Sequence, residues 1–508
     1  MRRSYRQQEI IPTAVRTEHP PIARLKIGFD AERLLLSCAL AAVLTIFAGL
    51  HSARSADRPN ILLLVADDQR PDTIAALGNR QIQTPNLDRL VREGTAFTRA
   101  ISAYPICHVS RAELLTGTTA FRNGVGYRGN QIDASLATWA GTCRAAGYHT
   151  WFVGKWHNDG QPKQRGYEET RGLFTSGGAT KEATSTYLDH RGQEATGYRG
   201  WTFKSNDGKA ETEKGVGLTP GISRRFADAA IEFIERKPAD PFFLQVSFTA
   251  PHDPRLLPPG YEDRYDAAKM RLPNNFAPQH PFDHGNLKGR DEVLLPFPRT
   301  PEMIREELAV YYAIISHLDE QIGRMMDALK TTGQLENTLV IFTSDHGLAL
   351  GSHGLIGKQN LYDHTLGVPL VLRGPGIPKN ERRDAQCYLR DLFPTACAVA
   401  GINIPETVEG DSLLPIITGR TDSIHPFVIG YFTDTQRAIR TRQWKLIYYP
   451  QAKRYQLFDL IHDPDEINDV SGDAAHQSVI SSLRRDLFAW LKDNGDPLNA
   501  ADGVHLPR

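Results

Sequence analysis

Four short apolar runs along the chain each stop abruptly in a cluster of polar residues. Asn60 to Ala66 (NILLLVA) runs into Asp67-Asp68-Gln69, and Thr150 to Val153 (TWFV) into Gly154-Lys155-Trp156-His157. Phe242 to Phe248 (FFLQVSF) runs into Thr249-Ala250-Pro251-His252-Asp253, and Leu339 to Thr343 (LVIFT) into Ser344-Asp345-His346-Gly347. Runs this short and continuous suit strands buried on both faces, as parallel strands under helices are. From Ile304, the apolar positions Leu308, Ile315, Leu318, Ile322, Met326 and Leu329 recur mostly every three or four residues, which predicts an amphipathic helix feeding the Leu339 strand. Leu136, Trp139, Ala140 and Cys143 form a second stripe before the Thr150 strand. Alternating strands and helices predict an α/β fold, a large mostly parallel sheet flanked by helices. Ligands of such sheets gather outside the carboxyl ends of the strands, where all four polar clusters would converge.

The remaining segments carry other patterns. Residues 161–217 are rich in Gly, Thr, Ser and charge, and residues 255–300 in Pro and Asn; both read as loops and short elements able to wall a site. After about residue 424 come short β-prone runs, Trp444 to Tyr449 and Tyr455 to Asp459, then a terminal helix at Ser478 to Lys492. These predict a smaller C-terminal antiparallel β unit with a packed helix. At the other end, Leu34 to Leu50 is an uncharged run of 17 residues, with Arg24, Lys26 and Arg33 before it and Ala53, Ser55 and Ala56 after it. That is the pattern of an export signal cleaved near residue 55 or 56, with an uncleaved N-terminal anchor as the alternative. Cys38, after Leu-Leu-Ser, faintly suggests a lipoprotein site. The expected division is a leader over 1–56, a catalytic α/β domain over 57–424 and a C-terminal subdomain over 425–508. The expected location is outside the cytoplasm, periplasmic or secreted.

Composition narrows the function. The 508 residues hold 59 Lys+Arg and 59 Asp+Glu. Removing residues 1–56 leaves 51 basic and 55 acidic residues, a slightly acidic remainder. Neither balance fits a nucleic-acid coat, so any anion recognition must be local. Five cysteines are too few for a disulfide scaffold. Cys143 and Cys397 read as helix-core residues, and a Cys387–Cys397 disulfide is open to an exported protein.

Asp67-Asp68 and Asp345-His346 sit at separate strand ends, and together they offer oxygen ligands and one imidazole to a divalent metal. Each pair alone would be an ordinary polar loop or helix cap. Cys107-His108-Val109-Ser110-Arg111 places a thiol four residues before a guanidinium, which would lower the thiol pKa and hold an anion; a buried inert cysteine is the plainer reading. Lys155 and His157 share one strand end, Pro251 and Pro254 stiffen the loop of His252, and Lys358 follows a glycine-rich turn. Cations and histidines around a metal make a site for a tetrahedral anion.

In order and approximate spacing, Pro59 to Asp68, Cys107 to Gly117, Gly154 to His157, Pro251-His252, Ser344 to Gly347 and Lys358 resemble the type I sulfatases of the alkaline phosphatase-like superfamily. The likeness runs from about Arg58 to Asp469, with Tyr455 to Asp459 and Asp463 to Glu466 similar to that family's C-terminal subdomain. The resemblance implies that Cys107 is oxidised to formylglycine by a formylglycine-generating enzyme and that its gem-diol attacks the sulfur of a sulfate ester. It implies Asp67, Asp68, Asp345 and His346 as metal ligands alongside the Cys107-derived group, usually for Ca²⁺, with Mg²⁺ or Mn²⁺ as alternatives. Arg111 and Lys155 would fix the gem-diol, His252 and Lys358 would assist the departing alcohol, and His157 would be the base for sulfate release. The substrate class is a sulfated carbohydrate or another small sulfate ester. Two positions depart from the family pattern: Val109 stands where the modification motif normally has Pro, and His346 where many relatives have Asn. They leave open a phosphonate monoester or phosphodiester hydrolase on the same site, and an unconverted glycan-binding protein.

Overall fold

The computed structural model describes residues 58–500, apart from 127–128, 182 and 196. The leader, its apolar run and Cys38 lie outside the described residues. The first strand, β1 (Asn60–Ala66), has the bounds of its apolar run. After it come α1 (Pro85–Glu93), β2 (Thr95–Ile101), α2 (Cys107–Thr116), α3 (Trp139–Ala145) and β3 (His149–Lys155). The chain then forms β4 (Glu169–Thr175), β5 (Thr202–Lys204), β6 (Ala210–Val216), α4 (Ile222–Glu235), β7 (Phe242–Ser247), the long α5 (Pro301–Thr331) and β8 (Thr338–Ser344). β9 (Leu370–Arg373), β10 (Glu381–Tyr388) and α6 (Leu392–Ala400) complete the large unit.

These strands make one ten-stranded sheet in the order β10-β2-β9-β8-β1-β7-β3-β4-β5-β6. The four strands predicted from apolar runs are its centre: β8, β1, β7 and β3 pair parallel. Every residue of β1 is buried, and its side chains alternate between two cores. Ile61, Leu63 and Val65 point to one, Leu62, Leu64 and Ala66 to the other. That two-faced burial explains why the run is continuous rather than alternating. Helices α4 and α5 close the second core, where Phe226, Phe233, Leu318 and Ile322 pack beneath Leu244 and Phe342. α5 starts where the sequence permits, with Pro301 in its first turn and the Thr300 side chain accepting from Met303 N.

Beyond the large sheet, β11 (Val428–Phe432), β12 (Gln436–Arg440), β13 (Trp444–Tyr449) and β14 (Arg454–Asp459) form a four-stranded antiparallel sheet. α7 (Gln477–Asp493) packs Ile480, Leu483, Leu487 and Leu491 into the same core as that sheet. The expected α/β architecture with a smaller antiparallel unit and packed helix is therefore present. Two details differ from expectation. β4, β5 and β6 extend the large sheet through the stretch read as loops. The Cys387–Cys397 disulfide is absent: Cys387 lies on β10, Cys397 in α6, and both are buried free thiols, as are Cys107 and Cys143. Finally, among the described residues no helix is long and apolar enough to cross a membrane.

Candidate active site

Because β8, β1, β7 and β3 run parallel, the polar residues after each strand meet at one edge of the sheet. β2 ends at the same edge, being antiparallel to β9, which is antiparallel to β8. This brings Cys107, at the first turn of α2, to the ends of β1 and β8. Its Sγ lies 3.3 Å from Asp67 Oδ1, 3.3 Å from His346 Nε2, 3.7 Å from Lys358 Nζ and 4.0 Å from Asp68 Oδ1.

Asp67 is fully buried, and Lys155 Nζ donates to its Oδ2 at 2.5 Å. Burial opposes its charge, but Lys155, His252 and Arg111 overcome that and hold the carboxyl well below its usual range. Asp68 adopts a left-handed backbone, φ 69°, and its N–H donates to Asp345 Oδ1 at 3.1 Å. Such a conformation in a non-glycine residue is strained and persists where the surroundings enforce it. Lys358 Nζ donates to both Asp68 oxygens, at 3.0 and 2.9 Å. Even so, burial together with Asp67 and Asp345 pushes Asp68 well above the normal carboxylate range. A carboxylate cluster that destabilises its own charge despite a bonded lysine is one that a divalent cation would stabilise.

The donor chemistry fits such a cation. Three carboxylates and two imidazoles converge around Cys107, in the groupings Asp67-Asp68-Cys107-His252 and Cys107-Asp345-His346. His346 Nδ1 faces the Gly347 carbonyl at 3.0 Å. A carbonyl only accepts, so Nδ1 carries the proton and the Nε2 lone pair is aimed toward Cys107.

Arg111 supplies the anion-binding character. Its Nε donates to Asp345 Oδ2 at 2.9 Å, while Nη1 and Nη2 are buried without hydrogen-bond partners among the described residues. Buried guanidinium donors left open in this way suit the oxygens of a bound anion. The expectation that Arg111 lowers the Cys107 pKa is not met. Burial, then Asp67, pushes the thiol well above its ordinary value, against Lys155 and Lys358. As a thiol, Cys107 is therefore protonated and a poor nucleophile at neutral pH.

Lys358 Nζ lies 2.7 Å from His252 Nε2, and His252 Nδ1 faces Asp253 Oδ1 at 3.3 Å. Burial and Lys358 bring the His252 pKa to about 4, so the ring is neutral and accepts from Lys358 through Nε2. Burial opposes the lysine charge, but Asp68, Cys107 and Asp291 raise Lys358 well above its usual pKa. His157 stands one step back. No hydrogen bond joins it to Cys107; its ring packs against Trp201 at 5.0 Å and His108 at 5.7 Å, with Nδ1 unpartnered. Burial and Lys155 hold it neutral.

Sequence reasoning missed Tyr198. Its hydroxyl donates to Asp67 Oδ2 at 2.7 Å and accepts from Lys155 at 2.9 Å, while its ring packs edge-on to His252 at 4.9 Å. It lies in the stretch predicted to wall the site, but no local motif marks it. Ser110, within the Cys107 segment, is a second such residue: its Oγ donates to the Asp345 carbonyl at 2.6 Å and ties α2 to the end of β8.

Comparison with known proteins points to one family. The family model described as Sulfatase matches residues 59–402, and one described as N-sulphoglucosamine sulphohydrolase, C-terminal, matches residues 351–493. The chain is 31% identical over 461 residues to an arylsulfatase of Clostridium perfringens, covering 86% of this chain and 95% of that one. It is 29% identical over 435 residues to a choline-sulfatase of Rhizobium meliloti, covering 82% of each. Among solved structures, a protein in complex with its substrate D-glucosamine-2-N,6-O-disulfate aligns with a TM-score of 0.71 at 22% identity, over 88% of this chain and 100% of that one. A phosphonate monoester hydrolase of Agrobacterium radiobacter aligns with a TM-score of 0.70 at 23% identity, over 86% and 96%. At these identities the two structures show the shared fold.

Proposed function

The chain belongs to the sulfatase family and is a sulfuric ester hydrolase, and we propose that its reaction centre is Cys107, converted to formylglycine, beside one divalent cation. The observation that carries this reading is the convergence of Asp67, Asp68, Asp345, His346 and the open Arg111 donors on a thiol too protonated to act unconverted. Formylglycine supplies gem-diol chemistry, one hydroxyl for attack and a second whose deprotonation drives product release. A divalent cation supplies Lewis-acid polarisation.

The chain's own residues then divide the work. Asp67, Asp68, Asp345 and His346 would hold the cation; the oxygen-rich donor set favours Ca²⁺ or Mg²⁺, and the His346 imidazole fits Mn²⁺ better than either. Arg111 offers two open donors to the sulfate oxygens, and Ser110 and Asp345 fix its position. Lys155 and Tyr198 hold Asp67 charged and oriented. Lys358, protonated and bonded to His252, is placed to deliver a proton to the departing alcohol, while His252 orients it. His157, neutral with an open Nδ1, accepts the proton lost in the release step.

Maturation calls for a formylglycine-generating enzyme, with Val109 occupying the position usually held by proline. In the folded chain the Val109 N–H donates to Ile106 O at 3.1 Å, a bond proline cannot make. The basic, then apolar, then small-residue pattern of residues 24–56 supports export with cleavage near residue 55 or 56. Parallel kinetics on 4-nitrophenyl sulfate and phenylphosphonate 4-nitrophenyl ester test the reading. A higher kcat/KM for the sulfate is expected; faster phosphonate cleavage would overturn it.

A further inference from the structure

Behind the His252 and Lys358 pair stands a contiguous triplet, Arg290-Asp291-Glu292, that the steps above do not use. It belongs to residues 255–300, the stretch read from sequence as a wall of the site. Its three side chains hold the two loops that carry the pair.

Asp291 and Glu292 seat the Lys358 turn. Gly357 N and Ile356 N donate to Glu292 Oε1 and Oε2 at 2.8 and 3.1 Å, while the buried Arg299 donates to Glu292 Oε2 at 2.9 Å. A Cβ at position 357 would stand 2.8 Å from Glu292 Oε1 and 2.9 Å from Asp291 Cβ, so only glycine lets the turn sit this close. Asp291 Oδ2 accepts from Gln359 Nε2 at 2.9 Å and lies 4.0 Å from Lys358 Nζ.

Arg290 joins that turn to the loop of His252. One arm of its guanidinium, Nη1, donates to Asp291 Oδ1, and the other, Nη2, to Asp253 Oδ2. The second carboxylate oxygen of Asp253 faces His252 Nδ1 at 3.3 Å, and the Asp253 carbonyl faces the same nitrogen. Both are acceptors, so they keep the ring proton on Nδ1 and leave the Nε2 lone pair for Lys358. One rigid fork thus connects the carboxylate that faces His252 with a carboxylate beside Lys358. The Asp253 and Asp291 side chains are 8% and 4% exposed and that of Arg290 is 44% exposed, so Arg290 can be replaced without opening a hole in the core.

We propose that Arg290 is a positioning residue for proton delivery: by holding Asp253 and Asp291 with the two arms of one guanidinium, it sets the approach of His252 Nε2 to Lys358 Nζ. The assignment rests on the reading of Lys358 as proton donor to the departing alcohol and adds a residue to it. No bond forms or breaks at Arg290 itself. Lysine is a poor substitute, because its ammonium is a point charge on a flexible stem and lacks the fork.

The test uses the full chain co-expressed with a formylglycine-generating enzyme, with an alkyl sulfate and 4-nitrophenyl sulfate as paired substrates. Arg290→Ala should lower kcat on the alkyl sulfate by about tenfold with KM little changed, and lose less on 4-nitrophenyl sulfate, whose leaving group needs no proton. Arg290→Lys should show the same selective loss, and adding Arg290→Ala to Lys358→Ala should cost nothing further on the alkyl sulfate. Equal losses on both substrates, full activity in Arg290→Lys, or an additive loss in the double variant overturns the assignment. A selective loss in Lys358→Ala but not in Arg290→Ala overturns the positioning role and leaves the proton-donor reading standing; equal losses on both substrates in Lys358→Ala overturn both. A second measurement does not depend on turnover. Crystals of the Arg290→Ala protein should show His252 Nε2 displaced from Lys358 Nζ, 2.7 Å apart in the native chain; an unmoved pair overturns the proposal.

Discussion

Two buried ionic clusters in this molecule are built from similar residues and do opposite things. Near the small sheet, Asp363 accepts from Arg440 at 3.0 and 2.8 Å and from Lys445 at 2.8 Å, and Lys445 lies 2.7 Å from Glu466. Two carboxylates meet two cations, and the Asp363 N–H is taken up by Glu466 at 2.6 Å. At the strand ends, Asp67, Asp68 and Asp345 crowd a thiol, Arg111 keeps two buried donors open, and Asp68 is pushed upward in pKa. The first cluster pairs its charges and ties the loop before β9 to β12 and β13. The second is complementary to something that binds there. Both clusters match cations to carboxylates; what sets the second apart is the thiol at its centre and the two buried Arg111 donors without hydrogen-bond partners among the described residues.

That contrast can be broken at either cluster. The largest expected effect is at Cys107: Cys107→Ala should lower kcat/KM for 4-nitrophenyl sulfate by about a thousandfold or more, with thermal unfolding unchanged. Next, Asp68→Asn should cost about a hundredfold in activity and weaken Ca²⁺ binding in a direct titration, because it removes a proposed ligand and the anchor of Lys358. Lys358→Ala should lose roughly 10- to 100-fold on an alkyl sulfate and less on 4-nitrophenyl sulfate, whose leaving group needs no proton. Equal losses on both would remove Lys358 from the proton-transfer role. In the first cluster, Asp363→Asn should destabilise the fold by about 3 kcal/mol in urea unfolding and leave kcat of the folded protein unchanged.

The smallest effect is in pH. His280 and His353 pack against Tyr362 and His284 against His280; burial chiefly holds all three neutral, with pKa values of about 4, 4 and 3. Folded values below the unfolded value of about 6.5 mean that the unfolded chain takes up protons first. Their stabilising contribution is present above pH 6.5 and is lost as pH falls toward 4. His353→Gln should flatten this acid limb by about 2 kcal/mol, read as a shallower dependence of Tm on pH.

The sequence made the centre of the sheet legible because β1, β3, β7 and β8 are buried on both faces and so read as unbroken apolar runs. β2 and β10 were not legible for the converse reason. Thr98 on β2 is exposed and β10 begins ERRD at the sheet edge, so neither presents a continuous run. In the site, residues at strand ends were readable from adjacent pairs such as Asp67-Asp68 and Asp345-His346. Tyr198 was not, because its bond to Asp67 spans 131 positions from a polar, glycine-rich stretch. Nor did the Cys107 to Arg111 spacing reveal that burial, and after it Asp67 from another strand, would raise the thiol pKa.

The state of Cys107 in protein purified from its native host tests the account most directly. Mass spectrometry of the tryptic peptide Ala100 to Arg111 should find the aldehyde mass of formylglycine at position 107. An intact thiol there in active enzyme would contradict the proposed chemistry.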